Sequence, residues 1–215
     1  MICLADNDYI LKLAACDLLE EMQTLFGAER NEIYVLPSAK FKFKRDTKKQ
    51  LAQKYSEAGL ACAIVFVESV QEIIQKEDAE TALMSEVKDP QTGKEQIDAG
   101  ERVLLASTHL WDDFMLMTGD KRCLYALASA PSCATIYARH CGRVVCLEQT
   151  ILWLIQRLGF PSLLQKVVPA SGCDTALRSA FGSGFAATQQ NVEATLQSYV
   201  DDLQRRTGGL IKQTL

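Results

Sequence analysis

Two short apolar runs, each ending on an acid, constrain this chain more than any other feature. Phe114 to Met117 leads into Thr118-Gly119-Asp120-Lys121, and Met1 to Ala5 leads into Asp6-Asn7-Asp8. Runs this short and this apolar read as strands buried on both faces, the kind that build parallel sheets. An acid placed directly after such a strand stands at its C-terminal end, where open α/β sheets bind their ligands. A third acid, Glu101, opens a helical pattern from roughly Gly100 to Leu110. Carboxylates converging on one sheet edge point to a divalent-cation site, with Asp6, Glu101 and Asp120 as ligands and Asp8 as a close extra.

The remaining pattern fills in an alternating α/β chain. Tyr9 to Phe26 has Leu11, Leu18, Leu19, Met22 and Leu25 at helical spacings, and Gly27 ends it. Ile33 to Leu36 is a second strand stopped by Pro37, and Ala61 to Val67 (ACAIVFV) predicts a third. Ser69 to Val87 is helical in pattern, and the segment from Lys88 to Gln96, with Asp89-Pro90 and Gly93, predicts a loop. Helices follow at about Lys121 to Ser129 and Glu148 to Leu158, with a strand at Arg143 to Leu147 between them. Strands alternating with helices imply a three-layer α/β/α sandwich around a parallel sheet of about five strands. Composition shifts after Gly159, where Pro161, Pro169, Gly172, Gly182 and Gly184 punctuate short helical pieces before a final helix at about Asn191 to Arg206. The expected organisation is a domain over 1–159 and a helical extension over 160–215, packed on that domain or kept for partner contacts.

Charge and cysteine usage narrow the class. No apolar run approaches the ~20 residues that span a bilayer, and the start lacks the pattern of a cleavable leader. The 8 cysteines are scattered through apolar stretches without a C-x-x-C pair, which suits a reducing cytoplasm and argues against zinc. A net charge of −4 disfavours indiscriminate coating of nucleic acid. One dense cationic stretch does exist, Lys40, Lys42, Lys44, Arg45, Lys48 and Lys49, with Phe41 and Phe43 interleaved. It reads either as a solvated helix face whose phenylalanines pack on the core, or as a track for a phosphate backbone continued by Lys121 and Arg122.

Each acid has a structural alternative. Asp98 and Glu101 are spaced as an N-cap and its partner in a capping box, and Asp120 is placed to cap the helix that begins at Lys121. His109 and His140 accompany no recognisable Ser or Cys nucleophile. Gly182-Ser183-Gly184 lacks the strand and lysine of a phosphate loop and reads as a turn.

The segments Leu4-Ala5-Asp6-Asn7-Asp8, Asp98-Ala99-Gly100-Glu101-Arg102-Val103-Leu104-Leu105-Ala106 and Thr118-Gly119-Asp120-Lys121-Arg122 resemble, in order and spacing, the acidic motifs of PIN-domain proteins. The resemblance covers about residues 1–150. It implies an α/β/α sandwich, a Mg²⁺- or Mn²⁺-dependent nuclease acting on single-stranded or structured RNA, and Asp6, Glu101 and Asp120 as metal ligands. It also implies a setting such as a bacterial toxin–antitoxin or defence system, with an inhibitory protein partner or a homodimer masking the site. One acid of that pattern, expected soon after the second strand, is replaced here by Pro37-Ser38-Ala39-Lys40-Phe41-Lys42. Asp8, Glu68, Asp112 or Asp113 then supplies the missing oxygen, or the chain is a degenerate module that binds nucleic acid or protein without cutting. Asp6-Asn7-Asp8 also resembles the nucleophile motif of haloacid-dehalogenase-type phosphatases, but Leu124 stands where their later aspartate belongs. A pure interaction protein whose acids only cap helices is the third reading.

Overall fold

The computed structural model describes residues 1–44, 48–74 and 78–215. Five parallel strands form one sheet in the order β3-β2-β1-β4-β5: β1 Ile2–Ala5, β2 Ile33–Val35, β3 Gln71–Glu72, β4 Phe114–Thr118 and β5 Val144–Cys146. Side chains alternate faces along each strand. Cys3, Ala5, Met115, Met117 and Val145 enter one core, and Leu4, Phe114, Leu116, Val144 and Cys146 enter the other. Helices cover both faces, giving the three-layer α/β/α architecture.

The connecting helices are α1 Asn7–Ala15, α2 Leu19–Phe26, α3 Ser38–Lys42, α4 Lys48–Tyr55, α5 Glu57–Ser69, α6 Ala79–Ser85 and α7 Ala99–Ser107. After these come α8 Lys121–Ser129, α9 Ala134–His140, α10 Leu147–Leu158, α11 Phe160–Val167, α12 Thr175–Ala180 and α13 Gln189–Thr207. No helix among the described residues is long and apolar enough to cross a membrane.

The structure corrects the sequence expectations in three places. Ala61 to Val67 is not a strand but the middle of α5. The Ser56 side chain starts that helix by accepting from the Gly59 N–H at 3.0 Å, and Gly59 lets it approach α1. A Cβ at that glycine would lie 2.8 Å from the Ala15 Cα. Burial of this helix against a neighbour overrides the β preference of its Ile-Val-Phe-Val run. The third strand is instead Gln71–Glu72, whose exposed side chains leave no hydrophobic signature. Thus the pattern read as helical from Ser69 to Val87 holds a strand followed by α6. Tyr9 to Phe26 is two helices, broken where Asp17 takes the left-handed φ of 51°.

Residues beyond 160 share both cores. Leu163, Val167, Leu177, Val192 and Leu196 join the first, and Val200, Leu203, Leu210 and Ile211 join the second. Ile211 bridges Val144 in parallel, with Val144 N–H donating to the Leu210 carbonyl (3.1 Å) and Lys212 N–H to the Val144 carbonyl (2.8 Å). This covers the edge that β5 would otherwise expose.

Candidate acidic site

The strand order reverses between β1 and β4, and such a switch point opens a crevice at the C-terminal ends of the strands. Asp6 leaves β1 there and Asp120 follows β4. The first turn of α7 packs over the end of β2, where a Cβ at Gly100 would stand 3.0 Å from Leu36 Cδ1. That packing delivers Asp98 and Glu101 to the same edge.

Both capping alternatives are realised. Asp98 Oδ1 accepts from Glu101 N–H at 2.9 Å, and Glu101 Oε2 accepts from Asp98 N–H at 2.6 Å. Asp120 caps α8 by accepting from the backbone N–H groups of Arg122 (2.8 Å) and Cys123 (3.3 Å), while Arg122 Nη2 donates to its Oδ2 at 2.8 Å. Asp6 occupies the cap position of α1 yet makes no side-chain cap bond.

Capping does not exhaust these acids, because they also act on one another. Glu101 is buried and hydrogen-bonded to Asp120, an arrangement two ionised carboxylates cannot hold. Burial, with the charges of Asp120 and Asp98, pushes Glu101 up to about 8 against the pull of the Asp98 N–H. Asp120 takes the opposite course: burial raises it, but hydrogen bonds from Arg122 and Glu101 outweigh that and hold it below the usual range. One proton is therefore shared, resting on Glu101. Asp6 is raised to about 6 by burial and then by Asp8, with Asp120 and Asp98 adding to the effect.

The structure thus brings Asp6, Glu101 and Asp120 together, and adds Asp98, which sequence reasoning treated only as a cap. Asp8 lies beside them with both oxygens engaged. Tyr55 Oη donates to Oδ1 at 2.6 Å and Lys12 Nζ to Oδ2 at 2.5 Å. Asp112 and Asp113 do not join, because they precede β4 at the opposite end of the sheet, where Asp113 faces the Met1 amino group at 3.9 Å. Glu68 ends α5 in an ion pair with Lys44.

Among the cations, Lys40 pairs with Glu72 at 2.7 Å, and Lys121 with the buried Glu148 at 2.6 Å while lying over the Tyr199 ring. Arg122 pairs with Asp120 at 2.8 Å although its side chain is 80% exposed. Lys42 is exposed, and Arg45 lies outside the described residues. Phe43 packs in the core, whereas Phe41 stands in solvent. His140 is buried, lowered to about 4 by that burial, and bonded to the Ile136 carbonyl.

The donor set suits a hard divalent cation: oxygens only, crowded enough to hold protons that a cation would displace. Asn7, 6% exposed between Asp6 and Asp8, adds a buried Oδ1 that has no hydrogen-bond partner among the described residues. Among the described residues, no three His, Cys, Asp or Glu side chains are already arranged to hold a metal ion. Comparison of the chain with protein-family models, with curated proteins and with solved structures gave no match.

Proposed function

We propose that the chain is a divalent-metal-dependent nuclease that hydrolyses RNA phosphodiesters, with Asp6, Glu101 and Asp120 as the ligands of Mg²⁺ or Mn²⁺. The observation that carries this reading is the placement of Asp6 and Asp120 on either side of the β1/β4 switch point, with Glu101 hydrogen-bonded to Asp120. Carboxylates forced together until one keeps its proton are poised to exchange that proton for a cation. When bound, the metal supplies an activated water and neutralises charge on the phosphate. The chain contributes the rest. The β1 and β4 ends set the spacing of the ligands, Arg122 offers its exposed guanidinium to a non-bridging phosphate oxygen, and Lys54, 3.8 Å from Asp8, extends the basic rim. RNA rather than DNA rests on the resemblance of the three acidic segments to PIN domains. So do an inhibitory protein partner or homodimer and a toxin–antitoxin or defence role, while a cytoplasmic setting rests on the scattered cysteines.

A degenerate, non-cutting module is the second reading. The ion pairs that occupy Lys40, Lys44 and Lys121 favour it, because cations already paired have less to offer a phosphate backbone. One assay separates the two readings: labelled single-stranded RNA with and without Mn²⁺, beside single-stranded DNA and the Asp120→Asn variant. Mn²⁺-dependent RNA cleavage lost in the variant supports the nuclease. Cleavage that persists in it removes the assigned site, and RNA binding without cleavage favours the degenerate module.

A further inference from the structure

Lys12 is the charged group that the carboxylate cluster leaves unexplained. It is only 7% exposed, yet it carries an ammonium between two carboxylates, Asp8 Oδ2 at 2.5 Å and Asp174 Oδ2 at 2.8 Å. Asp8 and Lys12 lie one turn apart on α1, while Asp174 comes from the segment that enters α12. The other Asp8 oxygen is held by Tyr55, whose hydroxyl in turn accepts from Lys54 Nζ at 2.6 Å. This array touches the acidic site itself. A Cβ at Gly119 would lie 3.1 Å from Lys12 Nζ and 3.5 Å from Asp8 Oδ2, so glycine before Asp120 makes room for the ion cluster.

Stability does not account for the arrangement. Burying an ammonium costs several kcal/mol, and apolar replacements of buried ion clusters are often neutral or better. Nor does helix capping require the charge. Asp174 accepts from Ala176 N–H (2.7 Å) and Leu177 N–H (3.1 Å), a task that asparagine performs equally well. What the array does accomplish is to fix Asp8 from both oxygens against the turn that presents Asp120. A site that hydrolyses a phosphodiester gains from such rigidity, since small misplacements of reacting groups are expensive.

Resting on the nuclease reading, we propose that Lys12, anchored by Asp174, is a positioning residue that holds Asp8 against the Gly119–Asp120 turn. The segment beyond residue 160 is then part of the site rather than an accessory to it.

Asp174→Asn is the decisive variant, because it keeps the cap and removes the charge. The proposal expects kcat for Mn²⁺-dependent RNA cleavage to fall about 10- to 100-fold with KM changed less than about 2-fold. In the metal-free protein, the Gly119 and Asp120 amide resonances should shift, and the thermal midpoint should fall as well, because the buried Lys12 ammonium keeps only Asp8 as its partner. Lys12→Met should give the same kinetic signature more strongly, and the double variant should add little to Lys12→Met alone. Wild-type kcat and unmoved Gly119 and Asp120 resonances in Asp174→Asn would overturn the proposal. The resonances are read without metal or substrate, so they report on the Lys12 array even for a wild type that cleaves nothing, an outcome that removes only the nuclease reading.

Discussion

The Asp6 N–H donates to the Met117 carbonyl at 2.9 Å, so the first residue beyond β1 is tied directly to the strand that ends two residues before Asp120. The spacing of the two acids is thereby a property of the sheet ladder rather than of a loop. Function placed on such a ladder survives loop motion and responds to changes in the acids themselves.

Asp120→Asn tests this directly. Asparagine keeps the bonds to the Arg122 and Cys123 amides, so stability should change by less than about 1 kcal/mol. Cleavage should drop on the order of 100-fold or more, the scale for losing a group that acts on developing charge. Asp120→Ala should lose activity equally and about 1 kcal/mol of stability besides, read from chemical denaturation.

Glu101 makes the metal-free fold sensitive to alkali. Its ordinary value of 4.5 rises to about 8 on folding, so between these limits the folded chain holds a proton that the unfolded chain has released. Stability therefore falls as pH rises through that window, by at most about 1.4 kcal/mol per pH unit. Asp6, raised from 3.8 to about 6, contributes with the same sign at lower pH. Asp120, whose pKa is lowered, works the other way, and its contribution is lost only as the solution becomes more acidic than its ordinary 3.8. Thermal melts in chelator should show a midpoint that declines from about pH 6 to pH 8. Glu101→Gln should flatten that decline, and a midpoint rising with pH would contradict the assignment.

Lys121 is expected to matter for folding more than for substrate. Its partner Glu148 has a side chain only 4% exposed, so Lys121→Met leaves a buried carboxylate uncompensated. Lys121 itself is 27% exposed, which screens the pair and sets the loss at about 2–3 kcal/mol rather than the full cost of breaking a buried pair. Replacing both partners with Met should recover much of it. Urea denaturation of the three variants measures each step.

Gly59→Ala probes the contact that makes α5 a helix of this core. The added methyl meets the Ala15 backbone at 2.8 Å, and a main chain cannot turn aside as a flexible side chain does. The expected cost is about 1–3 kcal/mol, seen as a lower denaturation midpoint.

What could be read in the sequence was the part written in neighbouring residues. The apolar runs of β1, β2, β4 and β5, the acids that follow two of them and the Asp98–Glu101 spacing are all local, and each is found in the structure. Ala61 to Val67 failed because a short apolar run looks the same in a buried strand and in a helix packed on its neighbours. Gln71–Glu72 was invisible because an edge strand with exposed side chains has no pattern to show. Lys12, Tyr55 and Asp174 went unnoticed for a different reason. Their meaning lies in meeting Asp8, and those contacts come from three separate elements, only one of them near Asp8 in sequence.

The central strand carries a kinetic consequence. Ile2 pairs with Phe114 and Ala5 with Met117, so the strand made first borders one synthesised much later. Until β4 emerges, β1 has one edge unsatisfied, and pairings this distant in sequence close slowly because a long loop must be ordered first. A nascent chain cannot assemble the acids early, since Asp6 waits for Asp120. An N-terminal fragment ending before β4 should accordingly be inert and prone to associate through the open edge of β1.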